Sequence, residues 1–236
     1  MTNTEPMNIL AIDTATEACS AALLSDGETA SRFELAPRRH TELLLPMVDE
    51  LLAEAGMALS ALDAVAFGRG PGSFTGVRIA TATAQGIAYS ADLPVVPVST
   101  LAAIAQAAMD RRNALAVACA MDARMGEVYW ATFRRGADGP AELEGEERVL
   151  PPSDVPLLEE GISWHGAGSG WEAYHEALIE RLGATPATLD TAALPHAATI
   201  ARLAAAAFKR GETVSPAEAL PVYLRNKVTH QRTPQM

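Results

Sequence analysis

The residues best suited to chemistry are two glycine-rich turns and two aspartates. Gly70-Pro71-Gly72-Ser73 follows an apolar stretch and leads into a helical one, and Gly166-Ala167-Gly168-Ser169-Gly170 occupies a similar position further along. A glycine turn at the start of a helix offers free N–H groups and the positive end of the helix dipole, which suits an anion such as a phosphate. The first turn lacks the Gly-Lys-Ser/Thr ending of a P-loop, however, and Arg78 is the only cation in the helix that follows. Ser73 serves equally well as that helix's cap. The second turn reads as well as a tight strand-to-helix connection. Asp13 and Asp122 each end an apolar run, where a carboxylate can hold a magnesium ion through water or accept hydrogen bonds within its own hairpin. The candidate nucleotide or phosphate residues are therefore Asp13, Gly70, Gly72, Ser73, Gly166 and Gly168.

Other chemistries find less support. His40, His165, His175, His196 and His230 include no two that are three or four apart, so no helix presents a pair of imidazoles to a metal, and no His-Glu-x-x-His occurs. Neither glycine turn matches the Gly-x-Ser-x-Gly elbow, which leaves Ser73 and Ser169 as poor nucleophiles. Cys19 and Cys119 lie in apolar, strand-like runs, where buried free thiols are common, and this usage suits a reducing cytoplasm. No metal site and no catalytic residue is expected in this chain.

The helix after the first turn is the most unusual stretch. Gly76, Ala80, Ala84 and Ala88 recur every four residues, so one side is a ridge without bulk, and Ala82, Gly86 and Ser90 form a second small row. No charge lies between Arg78 and Asp92. An uncharged helix too short to cross a membrane is expected to have protein on more than one side. An amphipathic helix over residues 41–55 carries Leu44, Met47, Val48 and Leu51 on one stripe, interrupted early by Pro46. Together the two predict an apolar two-helix surface that a partner could cover. Cover from the chain's own second half explains the same pattern.

The elements that position these residues appear twice. Strands are predicted at 9–12, 19–24 and 32–35, with a hairpin turn at Ser25-Asp26-Gly27-Glu28, then helix 41–55, strand 64–67, the small-residue helix, strand 95–98 and a helix through Ala108. After Asn113 the pattern restarts, with strands at 115–121 and 127–133. The polar excursion from Arg134 to Glu147 reads as a solvated loop. A strand at 162–164, a helix from Trp171, a helix at 197–210 and an extended end at 220–225 complete the chain. Leu10-Ala11-Ile12-Asp13 and Cys119-Ala120-Met121-Asp122 match in position and character, which suggests a duplicated α/β unit. The halves are expected at 1–110, carrying the partner-binding helices, and 111–236, whose last helix is expected to pack back on the first half.

Composition sets outer limits. The 236 residues are 49% hydrophobic and 20% charged, as in an ordinary globular protein. A formal net charge of −11 argues against this chain gripping RNA or an anionic membrane by itself, since Lys and Arg lead phosphate binding. The stretch Met1–Pro6 lacks the basic and apolar regions of a signal peptide, so a cytoplasmic location is expected.

A strand–Asp–turn–strand hairpin made twice resembles the actin, sugar-kinase and Hsp70 (ribonuclease-H-like) architecture, with each subdomain a mixed sheet with helices. Within it the second glycine turn sits where nucleotide-binding members approach adenosine, but neither half has their Asp-x-Gly-Thr hairpin. Closer still is the resemblance to the TsaB (YeaZ) family. It is carried by Ile9-Leu10-Ala11-Ile12-Asp13-Thr14, Arg39-His40-Thr41-Glu42-Leu43-Leu44-Leu45-Pro46 and Gly70-Pro71-Gly72-Ser73-Phe74-Thr75-Gly76-Val77-Arg78. Asp122-Ala123-Arg124, Gly126-Glu127-Val128-Tyr129 and the ending Pro221-Val222-Tyr223-Leu224-Arg225 extend it over nearly the whole chain. The resemblance implies a partner of TsaD that works with the ATPase TsaE to make threonylcarbamoyladenosine beside the tRNA anticodon, with TsaD carrying the metal and the transfer chemistry. It implies a partner interface built on Leu44, Met47, Val48, Leu51, Gly76, Ala80, Ala84 and Ala88, and a homodimer through the same face when the chain is alone. It further implies contact with tRNA only through the complex, no cofactor held by this chain itself, and room for ATP or ADP at the complex interface. The competing expectation is an ATP-dependent kinase or acyltransferase of the same fold with Asp13 or Asp122 as acid/base.

Overall fold

The computed structural model describes residues 7–137 and 139–225; the segment read above for a signal peptide, and His230, lie outside the described residues. In chain order come β1 (Ile9–Asp13), β2 (Ala18–Ser25), β3 (Glu28–Leu35), α1 (His40–Ala55), β4 (Ala64–Gly68), α2 (Phe74–Ser90), β5 (Val95–Val98) and α3 (Thr100–Arg112). The second series is β6 (Ala116–Arg124), β7 (Glu127–Arg135), β8 (Ala141–Leu150), β9 (Trp164–Ala167), α4 (Gly170–Ala173), α5 (His175–Leu182), β10 (Thr188–Asp190) and α6 (Ala197–Lys209). The strands form two five-stranded sheets, β3-β2-β1-β4-β5 and β10-β9-β6-β7-β8. In each, the strand that carries the aspartate near its end pairs antiparallel with the next strand of its hairpin on one side and parallel with a later strand on the other. The second sheet, taken in reverse, repeats the first. This is the α/β duplication expected of the actin-like, ribonuclease-H-like class.

Several elements depart from the sequence reading: the strand expected at 162–164 is β9, which begins at Trp164 and takes in Gly166 of the expected glycine turn, and β10 has no counterpart in that reading. The stretch expected as a loop, 134–147, runs into β8 from Ala141 onward, whose Glu142-Leu143-Glu144-Gly145-Glu146-Glu147 run has no apolar alternation. It is an edge strand, where charged side chains are tolerated and discourage further pairing. Arg134 Nε meets Glu144 Oε1 at 2.6 Å, and the Ala141 N–H donates to Gln106 Oε1 at 2.5 Å. A register shift opposite Gly145, at φ +75°, hides what period remains. The helix predicted from Trp171 is divided into α4 and α5 at Tyr174, whose φ of −133° is not helical.

The two halves exchange their last helices. Leu101, Ile104 and Met109 of α3 pack with Val117, Cys119 and Phe133 of the second sheet. Ala197, Ile200, Ala201 and Ala204 of α6 pack with Ile9, Ala11, Ala64 and Ala66 of the first. The cut at residue 110 thus divides the repeat in the chain, while packing runs across it.

The other face of the first sheet is covered by α1 and α2. Leu44, Met47, Val48 and Leu51 join Leu10, Ile12, Leu23, Val65 and Phe67 in one core, and Ala80, Ala84 and Ala88 of α2 lie fully inside it. This corrects the expected interface. Gly76, Ala80, Ala84 and Ala88, with the α1 stripe, face the chain's own sheet and not an open side. The physical reason is that residues without bulk let α2 lie close on β1 and β4, a use of small side chains that periodicity cannot distinguish from docking.

Candidate functional site

The side of α2 left outside is the other small row. Ala82, Gly86 and Ser90 are exposed, and a Cβ built on Gly86 meets nothing within 4 Å. Phe74 and Tyr89 flank the row with 64% and 83% of their surface accessible, and Leu45 of the neighbouring α1 is 51% exposed. Thr75, Arg78, Ala82, Gly86 and Tyr89 recur every three or four residues and so make one continuous stripe. Exposed aromatic side chains beside the small Ala82–Gly86 stretch describe a surface that another helix can approach closely there. Sequence periodicity alone missed Phe74, Tyr89 and Leu45; the available signal was that large apolar residues stood off the core stripe of each helix.

Beside the start of α2 lies a cleft of about 1200 Å³ between the two hairpins, bordered by Thr16, His40, Asp122, Arg124, Tyr129 and Tyr223. Gly72, Ser73 and Ser169 reach its wall, whereas Asp13, Gly70, Gly166 and Gly168 do not line it. The first glycine turn is pressed onto its own hairpin. The Ser73 N–H donates to the Ala15 carbonyl at 2.7 Å, Thr14 Oγ1 donates to the Gly76 carbonyl at 2.7 Å, and Ser73 Oγ accepts the Gly76 N–H at 3.3 Å. A Cβ on Gly72 would fall 2.4 Å from the Ala15 oxygen, and one on Gly76 only 1.9 Å from the Thr14 oxygen. The second turn repeats the contact, because a Cβ on Gly168 would lie 2.4 Å from the Ala120 oxygen and Ser169 Oγ accepts the Asp122 N–H at 3.1 Å. Close backbone approach accounts for these glycines, and the Ser73 and Gly76 amides already have protein acceptors.

The two aspartates have separate fates. Asp122 stays on the cleft, where its Oδ1 accepts from the Arg124 N–H at 2.8 Å and the Tyr174 hydroxyl at 3.1 Å, and Oδ2 pairs with Arg124 Nη1 at 2.8 Å. Asp13 is buried. Its Oδ1 accepts the Ala15 N–H at 3.1 Å, but Oδ2 has no partner among the described residues and lies so close to Gly68 that a Cβ there would be 1.8 Å away. Burial pushes the Asp13 carboxyl up to about 7 against the opposing Ala15 hydrogen bond. A carboxyl closed off in the core in this way is not placed to hold a hydrated magnesium ion.

A pH dependence follows. The folded pKa of Asp13 lies above its unfolded value, so the folded chain keeps the proton longer. The burial carries no electrostatic penalty below about pH 4, and stability is lost as pH rises from there through 7, by up to about 4 kcal/mol. Asp13→Asn should therefore gain stability relative to wild type between pH 5 and pH 8. Urea unfolding at both values checks this, and parallel curves for the two proteins would contradict it.

The histidines and thiols have local roles. His40 Nε2 is 2.9 Å from the Thr16 carbonyl, His165 Nδ1 is 2.7 Å from Thr188 Oγ1, and His196 caps α6 through the Ala198 N–H while stacking on Phe33. Burial raises both thiols, Cys19 to about 11 and Cys119 further, which makes them poor nucleophiles. Among the described residues no three of His, Cys, Asp and Glu converge as a metal would require, and no helix is long and apolar enough to cross a membrane.

Comparison with known proteins places this geometry. The family model described as "TsaD: tRNA N6-adenosine threonylcarbamoyltransferase" matches residues 33–229. The tRNA threonylcarbamoyladenosine biosynthesis protein TsaB of Escherichia coli is 45% identical over 235 residues, covering 97% of this chain and 99% of that one. TsaB of Haemophilus influenzae is 42% identical over 236 residues, covering 97% and 98%. The solved structure of YeaZ from Pseudomonas aeruginosa superposes with a TM-score of 0.87 at 50% identity, over 92% of this chain and all of that one.

Proposed function

Since the chain belongs to the TsaB (YeaZ) family, within the wider group matched by the TsaD model, we propose that it acts in tRNA threonylcarbamoyladenosine biosynthesis as a non-catalytic subunit. It docks on a TsaD-type catalytic subunit through the outer face of α1 and α2 and supports a transfer whose chemistry that subunit carries. The observation that bears most weight is the exposed Ala82–Gly86 stripe flanked by Phe74, Tyr89 and Leu45. The partner set is TsaD and the TsaE ATPase, in the cytoplasm. The same face pairs two copies of this chain when TsaD is absent, since a self-complementary patch closes a two-fold dimer. Contact with tRNA comes through the complex, in keeping with the net charge of −11. ATP or ADP is accommodated at the subunit interface, beside the cleft, and not in a phosphate cradle formed by this chain.

The site geometry offers little to the kinase or acyltransferase alternative. Asp13 is withdrawn into the core, and Asp122 is occupied by Arg124 and Tyr174. Mixing the purified chain with a TsaD-type subunit and measuring mass by light scattering tests docking directly. One species of summed mass is expected, while two separate peaks at micromolar concentration would oppose it. Phosphate release by the chain alone with Mg-ATP separates the alternatives, and sustained turnover would favour the kinase.

A further inference from the structure

The last described stretch, 211–225, contains no long element yet fastens three parts of the molecule. Val214 and Val95 exchange backbone hydrogen bonds of 2.9 Å, which pins the stretch to the edge of the first sheet. Gln85 Nε2 of α2 donates to the Ala219 carbonyl at 2.9 Å, and the Val222 N–H donates to the Arg69 carbonyl at 2.8 Å. Tyr223 then lies near the Arg78 guanidinium, 4.9 Å from its carbon, while Phe74 holds the same group at 3.2 Å. Finally Arg225, with 18% of its side chain accessible, reaches the tip of the β6–β7 hairpin in the other half.

That tip has an unusual backbone. Arg124, Met125 and Gly126 have φ of +62°, +59° and +79°. A two-residue hairpin loop of the I′ kind needs positive φ at both positions, and Arg124 adds a third just after the register slips past Asp122. Glycine accepts this region freely, but Met125 and Arg124 have a Cβ that opposes it. Arg225 supplies what their side chains do not. The two hydrogens of its Nη2 serve three acceptors, the carbonyls of Ala123 at 3.0 Å and Arg124 at 3.3 Å and the Glu127 carboxylate, so one is shared, and its Nε donates to Glu127 Oε2 at 3.0 Å. The planar guanidinium spans both carbonyls and the carboxylate together, which a lysine ammonium cannot do. On the inner side Asp122 accepts the Arg124 N–H and pairs with its guanidinium. Arg124 is thereby left with 86% of its side chain accessible at the cleft rim.

We infer that Arg225 is a positioning residue: it holds the hairpin tip in its left-handed backbone so that Arg124 is presented at the cleft beside the docking face. The strap carrying Arg225 also rests on Phe74 and Arg78 at the start of α2, so the rim and the docking helix are fastened by one segment. What Arg124 meets, an anionic group of the assembled complex, rests on the function proposed above; the geometry of the tip does not.

Hydrogen exchange on the full chain, combined with a reconstituted modification assay, tests the assignment. Arg225→Ala and Arg225→Lys should each speed amide exchange over residues 123–127 by about tenfold or more, with the interiors of β6 and β7 unchanged. The modification rate at saturating partner should fall by about tenfold, with partner affinity held within about twofold. Adding Met125→Asn, which creates the asparagine–glycine pair that I′ turns favour, should bring both readings back to within about threefold of wild type. Unaltered exchange at the tip in both Arg225 variants would overturn the inference, and so would faster exchange with an unchanged rate. Should Arg225→Ala fail to fold by circular dichroism, Arg225→Lys carries the test. Failure of the functional reading itself looks different, because the wild-type chain would then also leave the modification rate unchanged while exchange at the tip still reports on Arg225.

Discussion

An Ala82→Arg variant is expected to remain folded and to lose its partner, with the dissociation constant for a TsaD-type subunit raised at least about 100-fold and modification activity lost with it. Ala82 is exposed in the middle of the outer stripe of α2, so in the monomer a long charged side chain there extends into water, with Arg78 one turn away as a like-charged neighbour of small effect. In a close helix–helix contact the same side chain must either be buried without a counter-charge or hold the helices apart, and about 3 kcal/mol of lost association is a modest estimate of either penalty. Ala84→Arg is the instructive contrast. Ala84 is fully buried in the first core, so that variant should fail to fold and its loss of binding would say nothing about docking. Calorimetric titration of the Ala82 variant, with a thermal melt as control, reads both halves of the expectation. Binding at wild-type affinity would place the interface elsewhere.

The second large effect concerns stability. Gly76→Ala should destabilise the chain by about 3 kcal/mol or more, because the new Cβ would fall 1.9 Å from the Thr14 carbonyl oxygen, a backbone atom that cannot turn aside. The collision also separates the turn from its hairpin, where Thr14 Oγ1 donates to the Gly76 carbonyl and Ser73 N–H donates to Ala15. Gly86→Ala in the same helix should act in the opposite direction and stabilise the monomer by about 1 kcal/mol, since its Cβ enters open space and alanine is the better helix former. Denaturant unfolding of the two variants at low protein concentration checks the pair, and a common sign of change would contradict the packing described here.

These contrasts show where sequence reasoning reached its limit. The duplicated unit was legible because strands ending in Asp13 and Asp122 and followed by hairpins are local signals, and the two sheets repeat them in the same order. Strand β8 was not, because an edge strand of glutamates interrupted by Gly145 carries neither alternation nor apolar content. The small-residue helix is plain in the sequence, yet its two rows are equivalent there. Only the sheet beneath decides that Ala80, Ala84 and Ala88 point inward and Ala82 and Gly86 outward. The glycine turns pointed to phosphate for the same reason, since sequence shows that a backbone must come close to something without showing whether it is a ligand or the neighbouring hairpin. Nothing local in the sequence gives Arg225 a role, because its partners lie roughly 100 positions away in the other half.

The central claim is that this chain contributes a surface and a fixed cleft rim, and no chemistry of its own. Its most direct test is a reconstituted threonylcarbamoylation reaction on tRNA in which this chain is titrated against constant catalytic subunit, ATPase and substrates. The rate should be near zero without the chain, climb with its concentration and level off at a fixed ratio to the catalytic subunit, while the chain alone forms no modified nucleoside. Modification that proceeds at full rate in its absence, or product formed by the chain by itself, would contradict the account.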